Sequence, residues 1–461
     1  MTGISTAQLG STERVLAAFR RAVSESSAYR TLLAQHGVPV DAVSDLETFV
    51  RVCPALNKDN TFGRFPVHEL VRTGVLDQVS DVLTSSGHGG RFSFGIGTRR
   101  QAAVAAAVAD DALDAAFQVK SRKTLTINCL PMGVGVSSGC MTVATVSVRE
   151  DMAVALIKRF GRYFDQVLVI SDPLFIPCLL AHAAAVGLDW TRYAVKVIIG
   201  EEFFGECFRS YVGARLGYSP RDLNDGVIRS SFGIGELGLH LFYETPTTIA
   251  LRRHAVTDPA FATELWGAVM LTSPAPILFA FDDTRTFIEV DHPDAAGFGE
   301  LTVTMLDPQL PVPLLRYQPG DVVALLDDRE VSAAARRHGL ELTDVPRHLV
   351  ALRGRRDEFV PNGCHVGVYR EALFANLEVA SVLTGAMRVE AETDAITLHV
   401  QMMSGCSRSP TMAASIANAV APEHRPVHVR LWPYEKFPFG MRLDYERKFR
   451  YCDPTVRPRP S

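Results

Sequence analysis

Lysine is scarce in this chain. Of 47 basic residues only seven are lysine: Lys58, Lys120, Lys123, Lys158, Lys196, Lys436 and Lys448. Arginine serves a surface as well as lysine does, but not where a compact, mobile ammonium is needed, so a lysine in a chemical context gains interest. No pair of the eight cysteines has C-x-x-C spacing. That leaves no framework for zinc, and buried thiols of a reducing compartment are the expectation. No apolar run is long enough to cross a bilayer. The best stretch, residues 167–185, is broken by Asp172, Pro173, Pro177 and His182. The first residues lack the charged start and apolar core of a secretory signal, so a cytoplasmic protein with no membrane partner is expected. The formal net charge is −4 and the basic residues are scattered, which gives no footprint for nucleic acid. A Walker lysine motif, an internal repeat and a low-complexity segment are also absent.

What is present is an ordinary globular composition, 47% hydrophobic and 21% charged over 461 residues. That length exceeds one compact core, so a large domain and a smaller one are expected. Residues 11–37 carry apolar positions at helical spacing. An Ala-rich helix is expected over 99–117. Strand and helix patterns then alternate: strand 124–130, helix 148–159, strand 166–170, helix 177–186, strand 195–199, helix 205–216. Alternation of this kind implies α/β architecture, with helices packed on mostly parallel sheets. Between 250 and 326 the apolar runs shorten between Pro, Gly and Asp, which predicts an antiparallel, barrel-like subdomain. The charged, turn-rich stretch 352–363 separates two apolar regions. The boundary is therefore set between 1–353 and 354–461. The second part reads as a small mobile α+β domain, with strand 395–402, helix 410–420 and strand 427–432.

Five short motifs carry possible chemistry. Ser85, Ser86, Gly87, His88, Gly89 and Gly90 form a small-residue loop whose backbone N–H groups could converge on an anion. Taken alone, it is as readily a surface loop. Gly233, Gly235 and Gly238 spell a dinucleotide fingerprint, but no acid on a following strand completes it. In the same stretch Phe232 and Gly233 precede Glu236, a base-stacking ring ahead of a carboxylate able to hold magnesium. Arg316-Tyr317-Gln318-Pro319-Gly320-Asp321 places a carboxylate after a turn. Gly354-Arg355-Arg356-Asp357 and Glu446-Arg447-Lys448 read alone as a charged linker and a solvated face.

In this order and at this spacing, the motifs resemble the adenylate-forming superfamily of acyl- and aryl-CoA ligases, luciferases and peptide-synthetase adenylation domains. Residues 27–33 and Cys53-Pro54-Ala55-Leu56-Asn57-Lys58-Asp59 resemble the opening of its phenylacetate–CoA ligase branch. The resemblance implies ATP-dependent activation of a carboxylic acid to an acyl-AMP, followed by transfer to coenzyme A, an amine or a carrier-protein thiol. It implies ATP, Mg2+ and coenzyme A as the molecules bound, and a homodimer. It gives the loop from Ser85 to Gly90, with His88, the ATP phosphates. Gly200, Glu201 and Glu202 border adenine. Phe232 stacks on adenine beside Gly233, Glu236 binds the metal, Asp321 grips the ribose and Arg355 contacts ribose or phosphate. Asp357 becomes the hinge, and Lys448 and His88 the catalytic residues. Met132, Gly133, Val134 and Ile234 line an acyl pocket suited to an aromatic or medium-chain acid.

The sequence departs from the family pattern near phosphate. The family loop usually reads Ser-Gly-Thr-Thr-Gly, and this one reads Ser86-Gly87-His88-Gly89-Gly90. Gly235 and Pro319 replace threonines, and Arg447 replaces the glycine before the lysine. Two alternatives therefore stay open. One is a catalytically degenerate binding or scaffolding protein with the same fold. The other is an acyl-protein synthetase that parks the acyl group on Cys364.

Overall fold

The computed structural model of the protein describes residues 11–85, 92–131, 133–361, 363–391, 395–420, 426–440 and 449–452. Sixteen strands are described. The hairpin β1 (Val79–Thr84) and β2 (Phe94–Thr98) flanks the small-residue loop. The central run comprises β3 (Thr124–Asn128), β4 (Thr142–Thr145), β5 (Gln166–Ser171), β6 (Val195–Ile199) and β7 (Ile228–Ile234). There follow β8 (Gly238–Tyr243), β9 (Ile277–Phe281), β10 (Thr286–Asp291), β11 (Gly299–Met305), β12 (Asp321–Asp327) and β13 (His348–Arg355). The last three are β14 (Leu383–Ala391), β15 (Ile396–Met402) and β16 (Val427–Trp432).

Eleven strands join in one sheet, in the order β10-β11-β12-β13-β9-β8-β7-β6-β5-β3-β4. The half from β4 to β7 is parallel, and the half from β7 to β10 is antiparallel. The sequences explain the difference. β3 and β5 are buried at every position, as expected of strands covered by helices on both faces. The alternating β/α pattern is thus the expected α/β sheet.

The expected barrel-like subdomain forms as the antiparallel end of the large sheet, and among the described residues no barrel is closed. The stretch assigned to it also opens on two helices, Pro246–Thr257 and Pro259–Trp266. Both have proline in the first turn and a capping side chain before it: Thr245 accepts from Thr248 N, and Asp258 accepts from the Ala260 and Phe261 amides. A proline after a capping residue starts a helix because its missing N–H is not needed there. The punctuation that suggested strands is helix capping.

The chain end forms a second, three-stranded sheet, β14-β15-β16, with helix Pro410–Ala419 joining β15 to the parallel β16. At the other end, helix Thr12–Glu25 turns Val15, Leu16, Phe19 and Ala22 inward. Phe19 meets Tyr29 and Phe49 edge-on. This cluster continues into the antiparallel half through Phe242, Phe279 and Val303. A separate core joins the parallel half to the C-terminal sheet, running from Ile127 and Phe208 to Phe374, Met387 and Val400. Among the described residues, no helix is long and apolar enough to cross a membrane.

Candidate functional site

The parallel strands β6 and β7 end at one edge of the sheet, beside the point where its direction changes. Ligands of open α/β sheets bind at such an edge. A cleft opens there, and its wall draws on segments far apart in sequence: Lys58, Ser85, Val134, the turn Gly200-Glu201-Glu202, residues 230–236, Asp321, Arg355 and Glu358.

Glu201 takes φ +69° in the turn after β6. A side chain there strains the backbone, and the residue enters the left-handed region to close the turn. On β7, Phe232 stacks on Phe242 with centroids 5.2 Å apart and rings 11° from parallel, so only its other face is available to a ligand. Ser231, also in the wall, has its hydroxyl 3.0 Å from His240 Nδ1. Burial lowers the His240 ring to about 4, so this imidazole is neutral at neutral pH.

Beyond β7, Glu236 has only 1% of its side chain exposed. Tyr317 donates its hydroxyl to Glu236 Oε1 at 2.6 Å, and Lys58 Nζ lies 3.9 Å from the same oxygen. Glu236 Oε2 is buried with no hydrogen-bond partner among the described residues. Lys58 arrives there through backbone pairing. Leu56 N–H donates to Arg316 O at 2.9 Å, and Gln318 N–H donates to Leu56 O at 2.8 Å. Arg316 braces the joint from below, pairing with buried Glu289 and donating to Cys53 O at 2.6 Å.

The opposite wall comes from two paired strands, with Asp321 on β12 in register with Arg355 on β13. Arg355 also faces Asp357, at 3.4 Å. Gly354 beside it takes φ +123°, and a Cβ there would sit 2.2 Å from His365 Nε2, so no larger residue fits. His365 Nε2 lies 3.1 Å from Glu358 Oε2, which also accepts the Arg355 N–H at 3.1 Å. Burial acts to raise the Glu358 carboxyl. The His365 hydrogen bond and charge outweigh it and hold it at about 2.

Most of the residues expected from sequence therefore meet. Ser85, Gly200, Glu201, Phe232, Gly233, Asp321, Arg355, Val134, Ile234 and Glu236 all line this cleft. Gly133 adjoins it at φ +70° without lining it. Asp357 is half-exposed, one residue from the wall. Ser86, Gly87, His88, Gly89, Gly90, Met132 and Lys448 lie outside the described residues. Cys364 is 4% exposed and belongs to the core under the C-terminal sheet; it does not line the cleft. Sequence reasoning assigned no role to Lys58, Tyr317, Glu358 or His365. For Lys58 a signal existed, since it is one of few lysines and stands in a motif already singled out.

Among the described residues no group of three or more His, Cys, Asp or Glu is arranged for a metal. Magnesium does not require one, because it commonly takes one or two carboxylates and completes its shell with phosphate and water. The unpartnered Glu236 Oε2 fits that arrangement.

No protein-family model matches the chain, and no curated protein matches it. Among solved structures it is similar to 2-hydroxyisobutyryl-CoA ligase in the postadenylation state, in complex with 2-HIB-AMP. That match has a TM-score of 0.66 and 14% identity, covering 97% of this chain and 89% of that one. The same ligase in an open conformation with 2-HIB-AMP and CoA matches at 0.55 and 14% identity, over 96% and 90% of the two chains. In the thioesterification state it matches at 0.52 and 14%, over 93% and 86%. The chain therefore shares its fold with that CoA ligase.

Proposed function

We propose that this protein is an ATP-dependent acid ligase, which makes an acyl-AMP from a carboxylic acid and passes the acyl group to coenzyme A. The observation that carries the reading is the convergence of Gly200–Glu202, Phe232, Glu236, Asp321 and Arg355 on one cleft. These residues come from four separate stretches of the chain, and the fold brings them to one cleft.

In this reading adenine lies against the turn at Gly200 and the free face of Phe232. Asp321 accepts the ribose hydroxyls, and Arg355, held by Asp357 and by Pro319 O, faces ribose or phosphate. The phosphates run toward Ser85 and the loop ending at Gly90. A carboxylate oxygen of the acid attacks the α-phosphorus, the bond to the β-phosphate breaks, and pyrophosphate leaves. That attack brings two anions together, so fixed positive charge lowers its barrier. Lys448 is assigned to the reacting carboxylate and α-phosphate. Lys58, beside Glu236, adds a second ammonium on the wall. Glu236 would hold Mg2+, which when bound supplies Lewis-acid charge to the phosphate oxygens. In the second step the thiolate of coenzyme A attacks the acyl carbon and AMP leaves.

Residues 1–353 are proposed as the ATP- and acid-binding domain and 354–461 as the mobile one, turning about Asp357. The acyl group is assigned to the space by Val134 and Ile234. The wall is apolar there, which suits an aromatic or medium-chain acid. Storage of the acyl group on Cys364 is disfavoured by its burial away from the cleft. A pyrophosphate-release screen against carboxylic acids, with and without coenzyme A, tests the reading. Acid-dependent release that disappears in Lys448→Ala, with folding intact, supports it. No release with any acid indicates the scaffolding alternative.

A further inference from the structure

Three remote pieces of the chain meet on one carboxylate at the edge of the cleft. Glu202 stands on the turn after β6, where its N–H donates to Gly200 O at 2.8 Å. Its Oε2 accepts from Arg370 Nη1 at 3.2 Å and from the Tyr451 hydroxyl. The Arg370 guanidinium lies over the Tyr451 ring, 4.7 Å from its centroid. All three side chains are nearly out of solvent: Glu202 at 9%, Arg370 at 10% and Tyr451 at 4%. Arg370 comes from helix Gly367–Phe374.

The backbone around Tyr451 is held as well. Val389 N–H donates to Tyr451 O at 2.7 Å, Arg388 Nη1 donates to Arg450 O at 2.9 Å, and Cys452 bridges Val389 on β14. Residues 450–452 are therefore tied to β14 by their backbone and to the cleft turn by one phenol. In sequence, Tyr451 follows Lys448 by three residues, a span of at most about 11 Å of chain.

We propose that Glu202 and Tyr451 are positioning residues: their hydrogen bond, with Arg370 as the second donor, ties the segment after Lys448 to the adenine side of the cleft for acid activation. The proposal rests on the ligase reading above. A charged, hydrogen-bonded contact suits this task better than an apolar one. Within low dielectric it has one good geometry, so it fixes distance. When the segment withdraws, water takes up both partners, so the carboxylate is not stranded. One hydrogen bond to a charged group is enough to bias the segment about ten- to a hundredfold.

Tyr451→Phe tests this, because it removes one oxygen and keeps the ring under Arg370. Two readouts keep the proposal separate from the reading it rests on. The first is hydrogen–deuterium exchange of the full chain with ATP and magnesium as the probe. Exchange at Val389 and in residues 449–452 is expected to rise about tenfold in the variant, with the global melting temperature within a few degrees. Unchanged protection there overturns the latch, whether or not the protein is a ligase. The second separates the half-reactions, with phenylacetate, benzoate and octanoate as probe acids. Acid-dependent ATP–pyrophosphate exchange is expected to fall about tenfold or more in kcat with KM for ATP within twofold. Transfer to coenzyme A from preformed acyl-AMP should keep its rate. Equal loss in both half-reactions marks a merely structural role and overturns the proposal. If the wild type turns over none of the probe acids, the ligase reading loses support, and the deuterium exchange still decides the latch.

Discussion

At the scale of single residues, the fold buries charged groups that burial disfavours, some with partners that retain them. Asp172 is the least compensated. Burial, then the nearby Glu202 charge, push its carboxyl up to about 7, although Oδ1 accepts the Leu174 and Phe175 amides at 2.8 and 3.0 Å. Its Oδ2 is buried without a hydrogen-bond partner among the described residues. In the unfolded chain the group titrates near 3.8. Between these values the folded protein carries a proton that the unfolded chain has lost. Stability therefore falls as pH rises through that window, and the full penalty is present above about pH 7. Asp172→Asn keeps the Oδ1 acceptor and removes the charge. It should stabilise the protein by at most about 4 kcal/mol at pH 8, with the gain gone below about pH 4. Urea denaturation at both pH values measures it, and a gain independent of pH would contradict the argument.

Glu236 is the converse, a buried carboxylate oxygen left open beside Lys58 and Tyr317. Glu236→Gln retains an acceptor for the Tyr317 hydroxyl but not the charge. Acid-dependent pyrophosphate exchange should fall by about a hundredfold or more, the loss expected when a charge-stabilising group is removed. The melting temperature should stay within a few degrees. Titrating magnesium in the same assay should give a weaker apparent affinity in the variant. An unaltered magnesium dependence would remove Glu236 from the metal site.

At the scale of elements, the hairpin β1–β2 is set by one close approach. A Cβ on Gly95 would lie 2.0 Å from Gly235 O, a backbone atom with little freedom to yield. Glycine is needed wherever two backbones come this near. Gly95→Ala should push the hairpin off the turn before Glu236, and with it Ser85, where the loop proposed for the phosphates begins. KM for ATP should rise about tenfold or more while the protein stays folded, as steady-state kinetics and circular dichroism would report. The same contact explains why sequence reasoning found the loop and missed the hairpin. β2 reads Phe-Gly-Ile-Gly-Thr; Gly95, which looks like loop punctuation, admits the Gly235 backbone, and Gly97 lies against the Asp81 side chain.

At the scale of the whole molecule, the C-terminal sheet and the parallel half share one core. Phe374 is central to it, with its ring edge-on to Phe208 at 4.8 Å and tilted over Tyr211 at 5.3 Å. Phe374→Ala should cost about 3–5 kcal/mol. Because the cavity would open between helix Gly367–Phe374 and helix Glu206–Leu216, tryptophan fluorescence and far-UV dichroism should shift together in denaturant. A loss confined to one probe would mean that the two parts unfold separately in this arrangement.

The sequence by itself determined the α/β alternation, the C-terminal strands 395–402 and 427–432, and the order of motifs, from which Ser85, Phe232, Glu236, Asp321 and Arg355 line one cleft. Those features depend on local periodicity, on glycine at turns and on residue chemistry, all of which are written along the chain. Only the tertiary structure decided that the antiparallel strands extend the large sheet, with no barrel closed among the described residues, since edge pairing is a property of the assembled strands. It alone brought Lys58 to Glu236 through the pairing of Leu56 with Arg316 and Gln318. It alone set Tyr451 against Glu202, because a contact between residues 249 apart leaves no local pattern in either segment.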